Sequence, residues 1–382
     1  MQAVEQAIKE ARAYLCVSCG KCTGACPVAL LKPGFSPRAI VERVTSYQPE
    51  DLLHENALWD CVTCAACNLR CPQNVDFTDF IKHLRVERHR QDGEGGPITH
   101  GGTLHALMRI SAAANIQQKR LDWLDPALEV DPNSEIVYYV GCAPYYDSYF
   151  ADIGSRALSA ANSAIKVLNH LGITPAVLPN ERCCGHDLLW CGDEPNFKKL
   201  AEQNQGAFKE RGTKKVLVSC PECYQTLKTE YPRYAGRGEH QVVHLASLLH
   251  EALAEGKLKV NDMAGNITYH DSCRIGRYSG LYEEPRALLG AMSGLNLTEM
   301  AHNRTRSLCC GTHSWMNCDA TAKQMQTNVL KEAKSTGADT LVTSCPKCQI
   351  HFRCTMQDAS FAPEDRIEVK DLFTLVASSL SQ

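Results

Sequence analysis

Apolar residues recur at helical spacing over the first fifteen positions, where Val4, Ala7, Ile8, Ala11, Tyr14 and Leu15 alternate with Glu5, Lys9, Glu10 and Arg12. This pattern predicts an amphipathic helix rather than a secretory leader. Ser36-Pro37-Arg38, followed by Ala39, Ile40 and Val44, predicts a capped helix start. A further helix is expected from Phe77 to Arg88, and the cations Lys82, Arg85, Arg88 and Arg90 run along it. They suit either an acidic electron donor or, more simply, a solvated helix face. The glycine- and proline-rich stretch 91–101 (QDGEGGPITHG) predicts a linker, and a helical connector is expected to follow to about Trp123.

Beyond the connector the pattern changes to short apolar strands. Ile136–Val140 predicts a strand running into Gly141-Cys142, with a helix near Ile153–Leu171, a helix over Pro195–Glu210, a strand Lys215–Ser219 ending on Cys220, and a helix from Pro221. The same order then recurs: a strand Ile267–His270 before Cys273, helices near Pro285–Met292 and Ala320–Ser335, and a strand Thr340–Ser344 ending on Cys345. Val242–Leu253 and Val369–Leu380 are expected to be matching apolar helices. Strand, cysteine at its carboxyl end, then helix is the α/β habit of placing ligand sites at strand termini. The expected division is 1–95, a helical ferredoxin-like domain; 96–134, linker and connector; and two pseudo-repeated α/β cysteine-rich domains, 135–262 and 263–382. A pseudo-twofold pairing of the repeats would bring their cysteine-bearing strand ends together.

The cysteines make the repeat explicit. Cys142, Cys183-Cys184-Gly185 and Cys220-Pro221-Glu222-Cys223 form one set, and Cys273, Cys309-Cys310-Gly311 and Cys345-Pro346-Lys347-Cys348 form the other. Cys184 precedes Cys220 by 36 positions and Cys310 precedes Cys345 by 35, so the two sets are copies of one unit. Five thiols with an adjacent pair fit a four-ligand tetrahedral zinc poorly and a larger inorganic cluster better.

Nearer the amino terminus stand Cys16, Cys19, Cys22 and Cys26-Pro27, then Cys61, Cys64, Cys67 and Cys71-Pro72. Both runs match the bacterial ferredoxin spacing, in which three thiolates hold one cubane [4Fe–4S] cluster and the fourth, before proline, ligates the other. Cys16, Cys19, Cys22 and Cys71 are thus expected at one cubane, and Cys61, Cys64, Cys67 and Cys26 at the second.

Composition sets the outer bounds. The 382 residues include 21 cysteines, 44% are hydrophobic and the formal net charge is −3. There is no basic surplus for a nucleic-acid backbone, and no apolar run approaches the ~20 residues of a membrane span. So many thiols without a leader point to metal or redox chemistry in the cytoplasm, with any membrane contact made through a partner. No G-x-G-x-x-G fingerprint follows a strand, so the electron donor is expected to be another protein.

Taken together, the paired Cys…Cys-Cys-Gly…Cys-x2-Cys sets resemble the cysteine-rich domains of heterodisulfide reductase. The preceding ferredoxin-type part makes the order similar to the fused D-type subunit, and His270-Asp271-Ser272-Cys273-Arg274-Ile275-Gly276-Arg277-Tyr278 is similar to a phrase of this wider group. The resemblance implies two noncubane [4Fe–4S] clusters, one on Cys142, Cys183, Cys184, Cys220 and Cys223, the other on Cys273, Cys309, Cys310, Cys345 and Cys348. It implies an oxidoreductase that reduces a small-molecule or protein disulfide to thiols, fed by a flavoprotein or membrane cytochrome in a multi-subunit complex. The alternative is a non-catalytic electron relay, as in relatives serving benzoyl-coenzyme A reduction, sulfate respiration, or 2-hydroxy-acid and glycerol-3-phosphate dehydrogenases.

Outside the motifs, His186 and His313 follow the two Cys-Cys-Gly turns and are candidates either to supply a proton to a departing thiolate or to donate to a cluster sulfur. Arg274 and Arg277 suit substrate anions or electrostatic compensation. Cys191, Cys318 and Cys354 fit no motif and are expected to be small buried hydrophobes.

Overall fold

The computed structural model describes residues 2–46, 53–93, 96–311 and 313–381; Glu94 and Gly95 of the expected linker, and the boundary placed there, lie outside them. Its main elements are α1 (Gln2–Glu10), α2 (Pro37–Thr45), α3 (Phe77–Asp92), α4 (Thr103–Ser111), β1 (Ile136–Tyr139), α5 (Ala143–Tyr149), α6 (Ala157–His170), α7 (His186–Trp190), α8 (Glu194–Glu210), β2 (Lys215–Val218), α9 (Pro221–Gln225), β3 (Gln241–His244), α10 (Leu245–Ala254), β4 (Gly265–Tyr269), α11 (Glu283–Gly290), β5 (Leu295–Leu297), α12 (Ala320–Ser335), β6 (Thr340–Thr343), α13 (Pro346–Gln357), β7 (Glu368–Asp371) and α14 (Leu372–Ser378). Two compact units emerge: residues 1–110, 185–197 and 308–326 form the first, and 111–184, 198–307 and 327–382 the second.

In the first unit α1 packs along α3. The amphipathic pattern outlasts the helix itself, because Arg12 takes a left-handed conformation (φ 54°) and a 3-10 turn over Ala13–Leu15 then delivers Cys16. Ser36 caps α2, its Oγ accepting from the Ala39 N–H at 3.2 Å with Pro37 in the first turn. Asp76 caps α3 in the same way through Asp79 N–H at 2.9 Å.

The solvated cationic face expected on α3 is not there at Lys82 and Arg85, both of which are 0% exposed. Lys82 Nζ pairs with Asp79 at 2.6 Å. Arg85 donates to the carbonyls of Leu58, Trp59, Cys61 and Trp190 at 2.8–3.3 Å. Its N–H donors brace the carboxyl ends of two short helices, Ala57–Asp60 and α7, whose last carbonyls have no partner within the helix, which a helical charge pattern does not reveal.

The second unit contains two parallel sheets, ordered β1-β2-β3 and β5-β4-β6-β7. They correspond strand for strand: β1 to β4, β2 to β6, β3 to β7, with β5 added at an edge. Buried Val137, Tyr138 and Tyr139 in one and Ile267, Thr268 and Tyr269 in the other put a near-continuous buried run on the leading strand, as parallel sheets covered on both faces require. The expected tail helices divide into a strand and a helix in each repeat. His244 accepts from Ala246 N–H and Asp371 accepts from Phe373 N–H at 2.8 Å, so each caps a helix that starts where its strand stops. The connector is shorter than expected too, helical only to Ser111.

The terminal helices are exchanged between repeats: α10 of the first packs on α11 of the second, and α14 of the second packs on α6 of the first. The small residues Ala157, Ala160, Ala161 and Ala164 of α6 are buried, which lets the helices approach closely. This reciprocal packing is the pseudo-twofold relation anticipated from the duplicated sequence.

Candidate metal centres

In the first unit both ferredoxin-type loops share a backbone signature. Ser18 and Gly20 (φ 55° and 74°) correspond to Thr63 and Ala65 (φ 46° and 60°), two and four residues after the first cysteine of each run. Three of these are non-glycine residues in the left-handed region, a strain kept where the surroundings over-determine it. Thr63 N–H lies 3.3 Å from Cys61 Sγ and Val75 N–H 3.4 Å from Cys71 Sγ, contacts of the kind that tune cluster potentials. Burial pushes the Cys26 thiol well up, and its neighbours Cys64 and Cys61 push the same way. Cys67, also raised by burial, is flanked by Cys61, Cys64, Cys26 and Cys22. Cys26 therefore has thiols of the other run beside it, and Cys22 has both Cys16 of its own run and Cys67 of the other.

In the second unit all five thiols of the first cysteine-rich set converge. Cys142 and Cys183 Sγ are 2.9 Å apart, Cys184 and Cys223 Sγ 3.4 Å apart, and Cys220 adjoins Cys184 and Cys223. Contact with Cys183 and burial hold the Cys184 thiol well above its ordinary pKa. Gly141 has φ 62°, and a Cβ there would lie 2.8 Å from Cys223 Sγ; no other residue fits beside the sulfurs. Five converging thiols exceed the four ligands of a tetrahedral ion and fit an iron–sulfur cluster.

A buried ion pair braces this turn. Glu181 accepts from Gly141 N–H at 2.8 Å, Val140 N–H at 3.3 Å and Arg120 Nη2 at 2.8 Å. Arg120 also donates to the Gly141 carbonyl. The second repeat has its own version: Arg286 grips Asp271, two residues before Cys273, with both contacts at 2.8 Å. Of the second cysteine set, Cys273, Cys345 and Cys348 belong to the second unit, following β4 and β6, and Cys309 and Cys310 to the first; all except Cys273 are buried. Thr343 Oγ1 donates to the His270 carbonyl at 3.3 Å, tying the ends of β4 and β6 together.

One contact joins the two repeats at their chemistry. Lys347 Nζ lies 2.8 Å from Glu222 Oε2, with side chains 3% and 11% exposed. These residues occupy the same position of the two Cys-Pro-x-Cys turns with opposite charge. Arg274, 2% exposed, stacks 4.1 Å over Tyr278. Burial opposes its charge, but Tyr278, Cys273 and Glu222 outweigh it. Arg277 donates to the Ser307 carbonyl at 2.8 Å. Arg274 is thus held by neighbouring charges and Arg277 by a backbone carbonyl.

His186 and His313 are buried in the first unit. His186 Nδ1 is 2.9 Å from Asp187 Oδ1. His313 has Nε2 2.7 Å from Arg85 Nη1 and Nδ1 2.8 Å from Ser314 Oγ. Because arginine only donates, Nε2 must accept, so that nitrogen carries no proton to give.

Only one of the three remaining cysteines is the buried hydrophobe expected. Cys191 is 1% exposed, donates to the Leu188 carbonyl at 3.3 Å and is pushed up to about 12 by burial; Cys318 is exposed and Cys354 half-buried. Alanine at Cys191 is expected to leave iron content unchanged and to cost about 1 kcal/mol in unfolding; loss of about four irons would make it a ligand.

Comparison with known proteins matches the geometry. The cysteine-rich domain family (CCG) matches residues 136–228 and 267–353, and the 4Fe-4S dicluster domain family matches residues 12–75. The chain thus carries a dicluster domain followed by two CCG domains. It is similar to the D-type subunit of the dihydromethanophenazine:CoB–CoM heterodisulfide reductase of Methanosarcina acetivorans, 28% identical over 96% of this chain and 93% of that one. It is also similar to the probable iron–sulfur-binding oxidoreductase FadF of Bacillus subtilis, 27% identical over 96% of this chain but 60% of that longer protein. Among solved structures, a hypothetical protein from Helicobacter pylori shares the fold, with a TM-score of 0.55 at 10% identity over 91% of this chain and 66% of that one. The chain is an iron–sulfur electron-transfer protein with a mixed helical and parallel-sheet architecture. No described helix is long and apolar enough to cross a membrane.

The sequence reading passed over Glu181, Arg120, Glu222 and Lys347. The last two carried a usable signal, opposite charges at one repeat position; Glu181 and Arg120, 61 positions apart, carried none.

Proposed function

We propose that this chain is the iron–sulfur subunit of a heterodisulfide-reductase-type complex that reduces a disulfide to two thiols, and that the four-part division of its sequence reflects that task. The observation that carries the reading is the Glu222–Lys347 pair, which ties together two Cys-Pro-x-Cys turns, each from a complete five-cysteine set. Cys16, Cys19, Cys22 and Cys71 would hold one cubane, and Cys61, Cys64, Cys67 and Cys26 the other. Cys142, Cys183, Cys184, Cys220 and Cys223 would hold one noncubane cluster, and Cys273, Cys309, Cys310, Cys345 and Cys348 the second. Bound clusters would supply one-electron transfer, and a disulfide needs two electrons and two protons, which gives duplication a chemical purpose. The chain's residues contribute rigid thiol placement: Glu181 and Arg120 fix the turn before Cys142, and Arg286 fixes the one before Cys273. The donor would be a flavoprotein or membrane cytochrome, with the chain on the cytoplasmic side. The similarity to a named heterodisulfide reductase subunit over nearly the whole chain supports this reading, and the similarity to the longer oxidoreductase keeps an electron relay as the alternative.

The anaerobic protein is expected to carry about 16 irons per chain and, when reduced, to cleave a member of a panel of coenzyme-type, persulfidic and protein disulfides. The rate should fall steeply in Cys184→Ser and in Cys310→Ser alike. Thiol added to partly oxidised protein should produce a new paramagnetic signal that broadens with ³³S. Full iron loading with neither turnover nor signal across the panel would leave the relay as the better account.

A further inference from the structure

The first unit turns one of its two ferredoxin-type runs outward: Cys19 is exposed and Cys16 and Cys22 half-buried, whereas Cys61, Cys64 and Cys67 are buried. Around the outward run stands an apolar rim that the fold leaves uncovered. Tyr14, Val17 and Leu69 are 61%, 60% and 49% exposed. They belong to one region of the surface. Tyr14 and Val17 stand on either side of Cys16, which is close enough to Cys22 to act on its thiol, and the 3-10 turn Asn68–Arg70 packs on the short helix Lys21–Gly24 that carries Cys22. That turn is held in place because Asn68 Nδ2 donates to Asp76 at 2.7 Å, and the Asp76 N–H donates in turn to the Ala11 carbonyl at 3.0 Å. Folded surfaces seldom keep an apolar patch of this kind unless a partner covers it.

The charges around the patch indicate which partner. Neither stretch that forms it, 11–41 or 61–75, contains a carboxylate, while the two together bring Arg12, Lys21, Lys32, Arg38 and Arg70, in a chain whose net charge is −3. Lys32 is engaged by Asp60 at 2.6 Å and Arg38 by Glu42 at 2.7 Å; Arg12, Lys21 and Arg70 are exposed. The carboxylates that border the rim are occupied: Glu42 also accepts from Ser18, Asp76 from Asn68 and Thr78, and Glu10 lies 3.0 Å from His83 Nε2. An apolar centre edged by cations is complementary to an acidic face with an apolar middle. A membrane surface would also accept apolar and cationic groups, but it has no electron to exchange. The exposed thiol of a metal-binding run at the centre of the patch favours a redox protein, because electron transfer falls steeply with distance and rewards close docking.

We propose that Tyr14, Val17 and Leu69, edged by Arg12, Lys21 and Arg70, form the docking surface for a one-electron carrier protein with an acidic face, whose cofactor is brought against the Cys19 side of the first run. In each encounter the carrier is oxidised by one electron and the chain is reduced by one, with no bond made or broken. The proposal rests on the reading of the chain as an electron-transfer subunit and adds the place and the charge of its partner; whether the final acceptor is a disulfide does not enter it.

The test uses the full cluster-loaded chain under anaerobic conditions. The probe is oxidised plant-type [2Fe–2S] ferredoxin, a strongly acidic carrier, and the comparison is mitochondrial cytochrome c, a strongly basic one. By calorimetry at low ionic strength the ferredoxin should bind more tightly than the cytochrome, and salt should weaken its binding. Its Kd should rise at least about tenfold in the double variant Lys21→Glu with Arg70→Glu. In Tyr14→Ser the Kd should rise severalfold with the salt dependence kept, a result that a purely charged contact would not give. Viologen radical, small enough to need no docking surface, should reduce both variants as fast as the native protein, which shows that their clusters are intact. No ferredoxin binding to the native protein, cytochrome bound as tightly as ferredoxin, or a Kd unchanged in either variant would overturn the proposal. So would sedimentation with phosphatidylserine-containing vesicles that is lost in the same variants while ferredoxin binding is not, which would assign the patch to a membrane. If viologen radical reduces nothing in the native protein, it is the electron-transfer reading itself that fails.

Discussion

Lys347→Met is expected to destabilise the paired cysteine-rich repeats by roughly 3–5 kcal/mol, the usual consequence of removing one partner from a buried ion pair. The Glu222 carboxylate, 11% exposed, would lose its partner at 2.8 Å while keeping the attraction of Arg274. The reverse change, Glu222→Gln, is expected to be milder because it removes negative charge from that neighbourhood. A charge swap, Glu222→Lys with Lys347→Glu, should recover most of the loss, since the contact is preserved with its sign inverted. Anaerobic thermal unfolding of the loaded protein reads all three. A Lys347→Met variant within about 1 kcal/mol of the native protein would mean that the pair is a surface-like contact and does not join the repeats.

Cys26→Ser is expected to remove or alter the cluster of the second ferredoxin-type run, with loss of up to about four irons, and to leave that of its own run intact. The ground is that Cys26 neighbours Cys64, Cys61 and Cys67 of the other run, although Cys22 also neighbours Cys67. Cys71→Ser should do the converse, perturbing the cluster on Cys16, Cys19 and Cys22. Iron content and paramagnetic resonance of reduced samples of the two variants are compared with the native protein; the two runs differ in exposure, Cys61, Cys64 and Cys67 being buried, Cys19 exposed and Cys16 and Cys22 half-buried. If each serine variant disturbed only its own run, the crossed ligand set would be wrong.

Much of this architecture was legible because the informative residues are constrained by spacing. Thiols must reach a common centre, so their intervals survive as a readable pattern, and the strands that deliver them carry period and composition of their own. What was missed has a different physical origin. The strand–helix division at His244 and Asp371 is set by side chains accepting from the next turn's N–H groups, and in an apolar run such caps are hard to tell from ordinary helical residues. Arg85 looks like a surface residue on a helical wheel, yet it is fully buried, donating to the carbonyls that end two short helices and to that of Cys61. Cys318 looks like any unassigned cysteine, and only its exposure shows that it is not part of a core.

The exchange of helices between repeats affects how the chain is made. Domains emerging from the ribosome generally fold in order of synthesis, but the apolar side of α6, including Ala164, Ile165 and Leu168, is covered by α14. That helix comes about two hundred residues later in translation. The contact between α6 and α14 therefore cannot form until residues 372–378 have emerged. The pairing of the two repeats is completed only at the end of synthesis, and a chain cut short before α14 would lack the packing partner of α6.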